Sequence, residues 1–110
     1  MDMSETKVLC AANSYEGKYY FNPEFDSIPE PVKKELRIIC TLFTEDVGGV
    51  ITMSFDGDGE LLIETDAAQE DILYDEIGAG LLVKEIQKNR KELLESLETY
   101  YRVKAAGGIR

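Results

Sequence analysis

Any chemistry in this chain would have to come from carboxylates. Asp56-Gly57-Asp58-Gly59-Glu60 sets two aspartates two residues apart, the spacing of oxygen ligands in a calcium-binding loop. In that register Ser54 takes the first ligand position, Asp56 and Asp58 follow, Gly59 makes the sharp turn, and Thr65 falls at the last position. The last position calls for a bidentate carboxylate, and a threonine has none. Asp-Gly between alternating strands is also a common hairpin turn. We therefore expect Asp56–Glu60 to be a turn.

Residues 41–80 carry eleven acidic groups and no basic one, so an acid–base pair could be drawn from many candidates and nothing singles out two. There is no histidine to act as a base. Phosphate-binding glycine loops and the GxSxG nucleophile motif are missing, and serine or cysteine nucleophiles lack a partner. Cys10 and Cys40 do not form a CxxC pair and are expected as two buried free thiols. We expect no enzyme activity, no cofactor and no metal.

The charge points instead to partners. Of the net charge of −10, residues 41–80 contribute −11. Such a field attracts basic proteins and repels nucleic acid, whose recognition needs a basic footprint. The expected interaction surface is the acidic segment 56–76 together with the C-terminal helix, with Glu64, Asp66, Glu70 and Asp71 as the contact residues on that segment. No apolar run is long enough to span a membrane. The acidic, polar start does not read as a signal peptide, and two cysteines without a secretion signal suggest a reducing cytoplasm.

Several elements must position these groups. Lys7–Asn13 and Lys18–Asn22 read as strands joined by turn residues 13–17, hence a first hairpin. Pro23–Ser27 is a connector. A helix follows through Val32, Leu36, Ile39, Cys40, Phe43 and Val47, with Pro29 and Pro31 at its start. Ile38 and Leu42 widen its stripe, so it is expected to be mostly buried. Val50–Phe55 and Glu60–Thr65 alternate apolar and polar residues around the Asp-Gly turn, giving a second hairpin.

Tyr74–Lys104 contains no proline and reads as one long helix with Leu82, Ile86, Leu93 and Leu97 on one face. Gly78 and Gly80 each cost about 1 kcal/mol there; they either mark a short separate turn, with the helix starting near Gly80, or let another segment pack closely, the reading we favour. About 30 helical residues span roughly 45 Å, more than the roughly 34 Å diameter of a compact chain this size. Leu93, Leu97, Tyr100 and Tyr101 on the overhang would then need cover. A second copy is the simplest source, so a homodimer is expected. The whole describes a single domain, 1–110, with 1–5 and 106–110 as flexible tails. Its expected fold is α+β: a four-stranded, mainly antiparallel sheet in ββαββα order, with two helices on one face.

Thr44-Glu45-Asp46-Val47-Gly48-Gly49, Asp56-Gly57-Asp58-Gly59-Glu60-Leu61 and Leu73-Tyr74-Asp75-Glu76-Ile77-Gly78, in that order, resemble a family of small acidic bacterial proteins. The similarity runs from Cys10 to Val103. That family is a domain of unknown function, so the resemblance implies a bacterial, cytoplasmic, uncharacterised protein and no catalytic residues. Hairpins around two helices are also loosely similar in fold to the roadblock and longin regulatory domains. The expected function is a non-enzymatic interaction or regulatory module. Two alternatives stay open: an immunity-type protein that neutralises a basic toxin, and a small-molecule binder using the aromatics from Tyr15 to Phe25.

Overall fold

The computed structural model describes residues 6–107. Residues 1–5 and 108–110, most of the expected tails, lie outside the described residues. The elements are β1 (Lys7–Asn13), β2 (Lys18–Phe21), α1 (Glu30–Val47), β3 (Val50–Phe55), β4 (Leu61–Asp66), α2 (Glu76–Asn89) and α3 (Lys91–Ala105). A short 3-10 turn, Pro23–Phe25, joins β2 to α1. The four strands form one antiparallel sheet in the order β2-β1-β3-β4, so each expected hairpin is present and the two meet along β1 and β3.

Register decides what each face carries. Phe21, Cys10, Met53 and Ile63 lie in one row across the sheet. Successive side chains alternate between faces, so Tyr20, Ala11, Thr52 and Glu64 form the adjacent row on the opposite face. The first face is the core side. There Cys10, Ile51, Met53 and Phe55 are buried beneath Leu36, Ile39, Cys40 and Phe43 of α1. On the other face Tyr20 and Glu64 are exposed. A bulge between Val8 and Cys10 inserts Leu9, which is fully buried.

Cys10 and Cys40 meet across the sheet–α1 interface with their sulfurs 3.9 Å apart, both buried and unbridged. The hydrogen bond with Cys10, together with burial, pushes the Cys40 thiol far above its ordinary range. It is a packing residue, without the thiolate a nucleophile needs.

The structure corrects two helical expectations. The stretch Tyr74–Lys104 is not one helix: it starts at Glu76 and breaks at Arg90 into α2 and α3. Neither glycine breaks it. Between Ile86 and Leu93 no apolar side chain ties the helix to the core, and the two halves pack on different partners. The Arg90 guanidinium pairs with Glu35 of α1, while Tyr101 stacks on Phe55 with ring centroids 4.3 Å apart. The two helices are about 21 and 22 Å long, and the second half does not overhang the body. Leu97 is 3% exposed, and Leu93, Tyr100 and Tyr101 pack against the same core. Their cover comes from the chain itself.

The second correction concerns α1. Ile38 and Leu42 do not widen a buried stripe; both are exposed. At 100° per residue they fall on the side of the helix away from Leu36, Cys40 and Phe43.

Two expected outcomes follow from local geometry. A Cβ on Gly80 would meet nothing within 4 Å, whereas one on Gly78 would lie 2.5 Å from the Asp75 carboxylate that caps α2. Gly80→Ala should raise stability by about 1 kcal/mol. Gly78→Ala should gain nothing, because the cap it disturbs is worth about the same. Urea midpoints of the two variants check this.

Asp26 accepts a 2.8 Å hydrogen bond from the Lys33 ammonium, which holds its carboxyl below the ordinary range. A depressed folded-state value contributes stability above the unfolded value and loses it as pH falls through the folded one. Wild type should therefore exceed Asp26→Asn at about pH 6, and the gap should close toward about pH 2. Denaturation midpoints across that window measure it.

Candidate interaction surface

The Asp56–Glu60 segment is the expected hairpin turn. Asp56 Oδ1 accepts from the backbone N–H of Asp58 at 2.9 Å and of Glu60 at 3.0 Å. Its carboxylate is committed to the chain's own backbone. Gly59 holds φ +84° with Arg102 directly over it, and Arg102 Nε donates to the Asp58 carbonyl at 3.2 Å. Among the described residues, no group of three or more Cys, Asp or Glu is placed to hold a metal ion.

The connector 67–75 is held outward by specific ties. The Tyr15 hydroxyl donates to Asp71 Oδ2 at 2.7 Å and accepts from the Ala68 N–H at 2.9 Å. The bond to Asp71 pushes the Tyr15 phenol above its usual range, because the neighbouring carboxylate disfavours a phenolate. The Tyr74 ring fills the space over Gly49, where any Cβ would sit 2.6 Å from it and 2.6 Å from the Asp66 carbonyl. Gly49 also holds φ +70°, a conformation that favours glycine. Asp75 then caps α2 by accepting from the Gly78 N–H at 3.0 Å.

These ties leave Ile72 and Leu73 each 90% exposed, followed on α2 by exposed Ile77 and Leu81. Large aliphatics at this exposure, gathered in ten residues and rimmed by acids, make this the candidate interaction surface. An open cleft beside them is bordered by Asp66, Asp71, Asp75 and Glu76.

The structure brings together only part of the expected site. Asp66 and Asp71 share the cleft. Glu64 lies on the sheet face opposite the helices, opposite Thr52 in the ladder, and Glu70 is exposed on the connector. Leu93, Leu97, Tyr100 and Tyr101 stand apart from this surface, within or against the core. The Tyr100 hydroxyl lies 2.6 Å from Ser27 Oγ. Ile72, Leu73, Asp75 and Glu76 fall within the expected segment 56–76 but were not singled out in it. The available signal was two adjacent aliphatics in an otherwise acidic connector.

The aromatics from Tyr15 to Phe25 do not converge on one pocket. Phe25 is core, Tyr20 is on the outer sheet face, and Tyr15 is tied to the connector. Tyr19 lies under Arg37 and Phe21 under Lys33 as cation–π pairs. Burial pushes the Tyr19 phenol far above its ordinary range, so it stays neutral.

Tyr15→Phe removes both connector bonds. The loss should be read as roughly fivefold faster hydrogen exchange at the Ala68 amide. Unchanged exchange would show that Tyr74 alone holds the connector.

No curated protein and no solved structure matches this chain. A family model matches residues 6–108, spanning the sheet, the acidic connector and all three helices. The chain therefore belongs to a family of unknown function, DUF6145.

Proposed function

We propose that this protein is a non-enzymatic interaction module of the bacterial cytoplasm, homodimeric, that captures a basic protein through its acidic end. The observation that carries the reading is the connector: Ile72 and Leu73 stand 90% exposed between Glu70, Asp71, Asp75 and Glu76. An apolar centre with a rim of one charge suits a partner that is apolar and basic. Acids elsewhere in residues 41–80 extend the same field, which steers a basic partner toward this end.

The non-enzymatic part rests on how the candidate groups are used. The Asp56 carboxylate holds a turn, Asp75 caps a helix, and Asp71 anchors Tyr15. The Cys40 thiol is buried and held protonated. Each of these groups supports structure.

The test compares tagged wild type with a variant carrying Glu64→Gln, Asp66→Asn, Glu70→Gln and Asp71→Asn, both exposed to native extract at low salt. Wild type should retain one stoichiometric basic protein. The variant should bind it roughly tenfold more weakly, and salt should weaken wild type similarly. Undiminished capture by the variant would count against the acidic end. The partner's identity decides the pathway: a basic nuclease would make this an immunity-type protein, and a component of a signalling or assembly system would make it a regulator.

A further inference from the structure

α1 and α2 form a layer whose outer side is unpartnered and polarised. They run antiparallel. Glu35 near the start of α1 pairs with Arg90 at the end of α2. At the opposite end Gly49, just after α1, lies under Tyr74, just before α2. Between these ends an open apolar groove is lined by Ile39, Leu42, Phe43, Leu82 and Ile86. Beyond the groove, Ile38 and Leu42 on α1 and Ile77 and Leu81 on α2 are all exposed. On α2, 100° steps place Ile77 and Leu81 opposite buried Ala79, hence away from the core.

The charges of this layer sort by end. Lys34 on α1 and Lys84 and Lys88 on α2 lie toward the Arg90 end. Glu45 and Asp46 on α1 and Glu76 on α2 lie toward the Tyr74 end. Glu35, paired with Arg90, and exposed Glu85 also lie at the first end, so that end is cationic only in net, the other is anionic, and the aliphatics lie between. A two-fold axis through the middle of such a face sets each cationic end over the partner's anionic end. Isologous contacts require that self-complementarity. A basic peptide would satisfy only the anionic end and leave the lysines without a counterpart.

We infer that the outer face of α1 and α2 is the homodimer interface, with a second copy packed on it about a two-fold axis to give a four-helix layer. Helices of about 27 and 21 Å side by side present roughly 500 Å² in projection, the low end of specific interfaces. A second copy covers Ile77, Leu81 and Glu76, and leaves Ile72 and Leu73, with Glu70, Asp71 and Asp75 around them, to the basic partner. This inference rests on the homodimeric part of the proposed function and is independent of the basic partner.

The test uses the full chain at about 100 µM and low salt, with mass read by sedimentation equilibrium. Wild type should show twice the chain mass. Leu81→Asp, an exposed position whose change leaves the core intact, should weaken association at least tenfold. A Lys84→Glu/Lys88→Glu chain and a Glu45→Lys/Glu76→Lys chain should each be monomeric, and mixing them should give a 1:1 heterodimer. That recovery cannot arise from a folding defect. A monomeric wild type would overturn both this interface and the homodimeric reading, leaving capture of a basic partner standing. A dimeric wild type that ignores Leu81→Asp, or swapped chains that do not recombine, would overturn this interface alone.

Discussion

The stack of Tyr101 on Phe55 is the contact on which the rest of the architecture depends. The two rings lie 4.3 Å apart and nearly parallel, with the Phe25 edge against both. Phe55 ends β3, Phe25 closes the turn after β2, and Tyr101 lies in the last turns of α3, so three distant segments share one aromatic centre. Such pairs contribute beyond their buried area. Two further bonds fix α3 in the same place: Glu98 accepts from the Leu61 N–H at 2.8 Å, and the Tyr100 hydroxyl meets Ser27. With α3 held over the sheet, the preceding helix must turn to reach α1.

That turn gives the protein its outer layer. A straight rod from Tyr74 to Lys104 could satisfy α1 or the Phe55 end, but not both. The break at Arg90 lets α2 lie along α1, and the Arg90–Glu35 pair marks where the two meet. An exposed pair contributes little to stability by itself. Its effect is directional, since it holds the cationic end of α2 beside the start of α1. Ala79, Leu82, Val83 and Ile86 face inward, and Ile77 and Leu81 are left outward. A helix that is apolar on two sides serves two packing partners.

The acidic character of the chain is distributed by the same architecture. Acids from 56 to 76 enter a turn, a strand, a connector and a helix start, and several bind backbone N–H groups there. The acids that bind no backbone N–H contribute a field and a rim. The connector's exposure is maintained rather than incidental: Tyr15 and Tyr74 anchor it from two sides, so Ile72 and Leu73 are held away from the core. An acid-rimmed, apolar surface at one end and a charge-sorted helical face beside it are compatible with two simultaneous partners.

Much of the fold was legible in the chain. Alternation in Val50–Phe55 and Glu60–Thr65 around Asp-Gly specified a hairpin, because a period of two can bury only one face of a strand. Apolar spacing from Val32 to Val47 specified α1, and an uncharacterised family followed from short motifs along the chain. Periodicity also named Leu97 and Tyr101 as apolar, but not what covers them, since a stripe reports only that something does. The break at Arg90 had no proline to announce it; it arises because two halves of one pattern pack on different neighbours. Ile38 and Leu42 looked like core and are surface for the same reason: composition gives a residue its hydrophobicity, while only the packing of α1 and α2 decides which side meets the sheet. The sequence alone determined the strands, α1 and the charge of each segment. Tertiary structure decided which apolar groups were left without cover and which charges stand beside them, because both depend on distances between segments far apart in the chain.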